Sequence, residues 1–348
     1  MPNIIYRPRN RLGDITLSYA DILVRAVEAQ GHDGDAFLES FRLQRHMLGI
    51  ADLRISIPHF MRIGHGAGLW TADPAVGLLA GDLARPEDHG LAGLAALTAE
   101  TPIEALATLI RFEPLSSSNS RGRSRFFRER GEWIAHFYSL TPYNEYNYFV
   151  VDSVLLGWVR FIQFASAGQE VVRLVQIEYA ERGLQSRFEQ VFGCPVQFGA
   201  PRNALILNPS LDQADNPHAS QALHGKLVQY CEQELDRLNS HFTLADRVRE
   251  VLAPLLRGQP PSLASVARQL GTTAWTLRRR LGEQNVTYRE LLDQVRHELA
   301  TDYVKETQLS FAEIAFLLGF ASPAAFHKAF RRWEAEPAGA YRERMRTR

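Results

Sequence analysis

A chain of 348 residues that is 45% hydrophobic and 22% charged can bury two cores of ordinary size, which excludes a disordered or low-complexity protein. Its 39 Lys and Arg balance 39 Asp and Glu, but unevenly: residues 257–348 hold 15 basic against 10 acidic side chains, leaving 24 against 29 for residues 1–256. Basic charge gathered at one end points that end at an anionic polymer, while Cys194 and Cys231 are too few for a disulfide framework, lack zinc-site spacing and read as buried reduced thiols.

The opening MPNIIYRPRNRLGD has no apolar run of signal-peptide length, so a cytoplasmic protein is expected. From Ile15 to about Phe112 apolar residues recur at helical spacing, broken at Gly31, Pro58, Pro74, Pro86 and Pro102, which predicts several short helices. LAGLAALTAETPIEALATLI, from Leu91, is interrupted by Glu100, Pro102 and Glu104 and fails as a membrane span. GHGAG, residues 64–68, lacks the spacing and preceding strand of a phosphate loop. His59, His65, His89 and His136 show no metal spacing, and no nucleophile, base and orienter converge, so neither metal, cofactor nor catalysis is expected. SSSNSRGRSR, residues 116–125, reads as a solvated loop rather than a basic arm on DNA.

The pattern changes at Ser124. RFFRER and EWIAHFYSL flank Gly131 as the two strands of a hairpin, and VVRLVQIEYA, PVQFGA and NALILN supply further strands. EYNYFVVDSVLLGWVRFIQFAS and ERGLQSRFEQVF are helix-periodic between them, and the chain is helical again from Asn208 to Leu238. Residues 126–164 hold 12 of the 35 aromatics. Phe127, Trp133, Phe137, Tyr138, Tyr146 and Trp158 in that region could line a small-molecule pocket, although core or dimer packing explains any one of them more simply.

After Thr243 nothing reads as strand. SLASVARQLGTTAWTLRRRL and SFAEIAFLLGFASPAAFHKAF repeat at an offset of 48, with Ala267 on Ala315 and Gly271 on Gly319. Alanine four residues before a turn glycine is a helix-turn-helix pattern, and two copies joined by a helix rarely arise by chance. In the first copy Leu277 and Leu281 pack the second helix, which turns Trp275, Arg278 and Arg279 outward as base readers and leaves Arg280 beside the packing seam, to reach a phosphate or to pack by its stem. In the second, Phe326 and Phe330 pack, Ser322 and Pro323 start the helix, and Ala324, His327, Lys328 and Arg331 face out. The joining helix from Tyr288 is about 20 residues, roughly 30 Å, close to the ~34 Å between successive major grooves.

The paired motif, the phrases VRHELA and IAFLLGFASPAAFHKAFRRW, and the ending PAGAYR resemble the AraC/XylS family of bacterial transcription regulators over residues 241–348. The resemblance implies that Trp275, Arg278 and Arg279, and then Ala324, His327 and Lys328, occupy base-reading positions. Ala335 and Glu336 depart from the family, which usually has a glycine before the closing Pro, and the departure bears on that turn alone. RISIPHF, DPAVGLLAG, HGLAGLAALTAETPIEALATLIRF and RFEQVFGCPVQFGAPRNALILN resemble the arabinose-binding-type N-terminal domain found in part of that family.

The expected architecture is an α+β sensor and dimerisation domain over 1–240, with helices on a small antiparallel sheet in a TRAPP-like arrangement. An all-α DNA-binding domain over 241–348 carries the two helix-turn-helix motifs. The expected function is a sequence-specific regulator, an activator by resemblance only, responding to a small-molecule effector. Its partners would be double-stranded operator DNA, a second copy of itself and RNA polymerase, with no membrane. A constitutive DNA-binding or scaffolding protein, and an enzymatic sensor fused to a DNA-binding domain, are the competing classes.

Overall fold

Side-chain caps explain where three of the early helices begin. The structure, a computed structural model, describes residues 14–50, 53–118, 122–239, 243–256 and 258–347. Asp33 accepts from Asp35 and Ala36 N–H, Ser56 from His59 N–H, and Thr101 from Glu104 N–H with Pro102 following. The N-terminal helices are α1 (Asp21–Ala29), α2 (Gly34–Ser40), α3 (Arg45–Leu48), α4 (Ile57–Thr71), α5 (Val76–Asp82), α6 (Gly90–Leu97), α7 (Pro102–Arg111) and α8 (Glu113–Ser116). GHGAG lies inside α4, where a Cβ on Gly64 would sit 2.1 Å from Phe149 Cζ, so packing, not phosphate binding, requires that glycine.

The helical reading of residues 15–112 needs one correction. Three-residue strands β1 (Asp14–Thr16) and β2 (Arg54–Ser56) pair antiparallel, and β1 also pairs with β3 (Ser117–Ser118). Segments this short show no alternation; Arg54 on β2 secures their pairing, donating to Asp14 on β1 at 2.7 Å and to the Leu115 carbonyl at 3.0 Å.

The hairpin of β4 (Arg125–Glu129) and β5 (Glu132–Phe137) forms as predicted, with Phe127 opposite Ile134 and a turn at Arg130 and Gly131, both at positive φ. With β6 (Val172–Gln176), β7 (Val196–Gln197) and β8 (Asn203–Leu207) it makes a sheet of order β4-β5-β8-β6-β7. Every pair is antiparallel except β6 and β7, which run parallel because helix α10 (Gln185–Phe192) crosses between them.

Helix α9 (Tyr148–Ala165) packs on this sheet and on α5 and α7, with Val151, Leu155, Leu156, Val159 and Ile162 wholly buried. By length and composition it could cross a membrane, but 72% of it is buried inside the protein, as a core helix requires. Asp152 on α9 is also buried; it accepts from Tyr179 Oη, and desolvation pushes its carboxyl up to about 7.

Helix α11 (Gln221–Asn239) follows, covering α6 through buried Cys231, and the expected boundary between residues 240 and 241 lies outside the described residues. Cys194 is only partly buried, unlike Cys231; desolvation raises both thiols to about 11. The C-terminal region is all helix: α12 (Leu244–Leu255), α13 (Leu263–Gln269), α14 (Ala274–Glu283), α15 (Tyr288–Glu306), α16 (Phe311–Leu317), α17 (Pro323–Glu334) and α18 (Ala338–Thr347).

Candidate nucleic-acid interface and N-terminal cavities

Each helix-turn-helix is built by a cap, a turn and a buried pair. Ser262 and Ser310 cap α13 and α16, Gly271 and Gly319 make the turns at φ +65° and +66°, and Thr273 and Ser322 cap α14 and α17. Leu277 and Leu281 in one unit, and Phe326 and Phe330 in the other, are completely buried. Helical geometry then turns the remaining faces to solvent: Trp275 is 71% exposed, and Arg278, Arg279, Arg280, Ala324, His327, Lys328 and Arg331 are all exposed.

These outward residues are not equivalent. Arg278 and Arg280 have no hydrogen bond or ion pair among the described residues. Arg279 pairs along its own helix with Glu283 and stands 5.7 Å over the Trp275 ring, so it must exchange those contacts to reach a base. His327 sets its ring edge-on to Phe311 at 5.0 Å, which ties it to the supporting helix.

Helix α15 anchors the second unit directly, while the first is tied to its start by the Tyr288 hydroxyl, which donates to the Pro261 carbonyl just ahead of α13. Thr287 and Glu290 close a capping box at the start of α15. Arg296 donates to the Leu318 carbonyl at 2.9 Å and to that of Gly319, capping α16, and stands 4.3 Å over Phe320. Asp293 accepts from Arg332 at 2.6 Å and from Trp333 Nε1 at 3.0 Å, fixing α17. The loop after α12 closes the arrangement: Gly258 N–H donates to Phe316, and a Cβ on Gly319 would lie 2.8 Å from the Gln259 carbonyl. Sequence reading missed Arg296 and Asp293; the signal was an Asp and an Arg three residues apart, flanking the buried Val295 in DQVRHEL.

The six aromatics singled out for an effector do not share one cavity. Phe127 and Trp133 lie partly exposed on the hairpin, Trp133 stacked on Phe126 and donating to Asp212 at 2.7 Å. Phe137 and Tyr138 are core residues in mutual ring contact. Tyr146 packs on His65 and accepts from Gln308 N–H at 2.8 Å, where the N-terminal region meets the end of α15. Trp158 alone lines an enclosed cavity of about 40 Å³, with Tyr19, Asp88, His89 and Glu113. Phe137 on β5 and Trp158 on α9 do meet, edge to face at 6.2 Å, but of the two only Trp158 borders that cavity.

A second cavity, a cleft of about 720 Å³, opens between α4 and the end of α15, bordered by Arg62, Trp70 and Lys305. Beside it Glu306 is 3% exposed, with Lys305 Nζ at 2.7 Å and Arg62 Nε at 3.3 Å, the latter at ion-pair distance without hydrogen-bond alignment. Burial would raise the Glu306 carboxyl, but His59, Lys305 and Arg62 outweigh it and hold it low; burial also pushes His59 down to about 4. The four histidines remain dispersed, and among the described residues no group of three His, Cys, Asp or Glu could hold a metal. Of the stretch 116–125, residues 119–121 lie outside the described residues.

Two family models match separate stretches of the chain. The family model described as "Arabinose-binding domain of AraC transcription regulator, N-term" matches residues 31–214, and a helix-turn-helix domain model matches 266–344. The chain is 28% identical over 331 residues to the ornithine utilization regulator of Pseudomonas aeruginosa, covering 94% of this chain and 96% of that one. It is 25% identical over 312 residues to the transcriptional regulator VirS of Mycobacterium tuberculosis, covering 89% and 86%. Among solved structures, the regulator CdpR of Pseudomonas aeruginosa aligns at a TM-score of 0.40 and 26% identity, over 78% of this chain and 87% of that one.

Proposed function

The chain belongs to the AraC family of transcription regulators, with an N-terminal ligand-binding domain and a helix-turn-helix domain, and from that premise we propose how its residues divide the work. Residues 1–240 bind an effector and dimerise, and residues 241–348 read operator DNA. The observation that carries this reading is the pair of exposed helix faces on α14 and α17, in units joined by one 19-residue helix. Its length, ~28 Å, suits two readers in adjacent major grooves.

Arg278 reads a base edge, Arg279 joins it after leaving Glu283, and Trp275 makes apolar contact beside them. Arg280, exposed and unpaired, holds a phosphate. On α17, Ala324, His327 and Lys328 face bases and Arg331 the backbone, with fewer specific donors than α14. The protein acts in the cytoplasm without a catalytic step, as an activator that contacts RNA polymerase. A second copy covers the side of α11 on which Leu223 and Tyr230 are both exposed, two turns apart; Tyr230→Lys should therefore shift the sedimenting species toward monomer.

Selection of bound sequences from a randomised DNA pool tests the reading. Arg278→Ala should relax preference at one or two base pairs, by about 1–3 kcal/mol, while Arg280→Ala should weaken all sequences alike and flatten the salt dependence. Uniform weakening by Arg278→Ala would reduce it to a phosphate contact.

A further inference from the structure

The enclosed 40 Å³ cavity has room for about three non-hydrogen atoms, and its charges do not balance. Asp88 is matched, accepting from Arg25 and from the Arg85 N–H at 2.7 Å. Tyr19 Oη bonds His89 Nδ1, and burial pushes His89 down to about 4, so the imidazole brings no positive charge at neutral pH. Ser116 Oγ is spent on the His89 carbonyl at 3.2 Å.

Glu113 is different. Its carboxylate accepts from the Ser124 N–H at 3.3 Å and has no ion pair among the described residues. It also borders a smaller cavity beside Arg123 and Tyr138, so some of its surface is uncovered, yet desolvation pushes the carboxyl up to about 7 despite the opposing pull of Ser124 and Arg123. An anion here would meet two carboxylates and a phenol. A divalent metal would need three or more protein ligands, and none of the described clusters supplies them. A group that carries positive charge, donates to a carboxylate and lays a short carbon stem on Trp158, Ile22 and Leu109 satisfies every wall.

We propose that this cavity is the ligand site of the N-terminal domain and that it takes a small primary ammonium ion with Glu113 as its counter-ion. The proposal rests on the ligand-responsive reading above and adds to it the site and the chemical class.

Titration calorimetry of the full chain with ethylammonium chloride, and with ethanol as the neutral counterpart of the same size, tests it. Ethylammonium should bind saturably and ethanol at least tenfold more weakly. Glu113→Gln should weaken ethylammonium at least tenfold without affecting ethanol; it removes a desolvated charge, and a melting curve checks that it folds. Ala92→Leu fills the cavity from a wall residue without touching the carboxylate, and should weaken the amine as strongly. No saturable amine binding, equal binding of ethanol, or unchanged affinity in either variant overturns the proposal. Footprinting on operator DNA separates the two readings. Intact protection without amine binding keeps the regulator and removes this site; amine binding that leaves protection unchanged keeps the site and removes the effector role.

Discussion

In the C-terminal region each exposed donor stands within four residues of the buried side chain that orients it, as Arg278 does with Leu277 and Leu281. In the N-terminal region the residues sharing the enclosed cavity come from several elements between Tyr19 and Trp158, which only the packing of those elements brings together. A DNA reader can be built from one helix and its turn, because the groove is itself a regular surface. A cavity for a small molecule needs walls on every side, and only long-range packing supplies them. The two regions should therefore fail differently when altered.

Phe326→Ala strikes the local kind of architecture hardest. The ring is fully buried against Phe320 and Phe330, so its loss should cost about 3–5 kcal/mol. Thermal melting should show the helical region unfolding first, with DNA protection lost. Retained protection at the second half-site would mean that α17 does not need its packing pair.

Arg296→Ala leaves the Leu318 and Gly319 carbonyls without their donor and should cost about 3 kcal/mol. Footprints should fade over the half-site read by α17 before the one read by α14; equal fading would contradict the bracing role of α15.

Glu113→Gln probes the other kind of site. The carboxyl is raised in the folded protein, so the fold favours its protonated form and loses stability as pH rises from about 4.5 to about 7. Glutamine has no such loss. The variant should melt higher than wild type above pH 7, by roughly 2 kcal/mol, and the gap should close toward pH 4. A gap that persists in acid would place the effect in packing instead of charge.

The smallest effect is expected at the turn after α17. Ala335 has φ +59°, a left-handed conformation that glycine adopts without strain. Ala335→Gly should raise stability by about 1 kcal/mol, read as a higher denaturant midpoint with unchanged slope. The departure from the family's glycine thus has a local cost and leaves α18 in place.

Legibility in the sequence followed the same division. Periodicity, caps and turn glycines were enough to place α13 to α17 and the outward residues, because each of those signals acts within one or two turns. The hairpin was equally plain from alternation around Gly131. What escaped depends on distant partners: the three-residue strands β1 and β2, the parallel edge at β7, and the separation of Trp133, Tyr146 and Trp158 into three surroundings. Glu113 did leave a trace, as a lone acid between Phe112 and Pro114 at the end of an apolar helix, but a single buried acid in sequence looks the same as a surface one.

The bond from Gln308 N–H to Tyr146 Oη falls two residues before Ser310, the cap of the second motif, and well past the end of the first. With Arg62 on Glu306 it pins the N-terminal domain to the shaft between the two readers, at the end nearer the second. A displacement there would swing one reader about the other like a dial on a fixed axle. The quantity such a movement alters is the phase between two half-sites along the DNA, and operators with one base pair added or removed at their centre would register it.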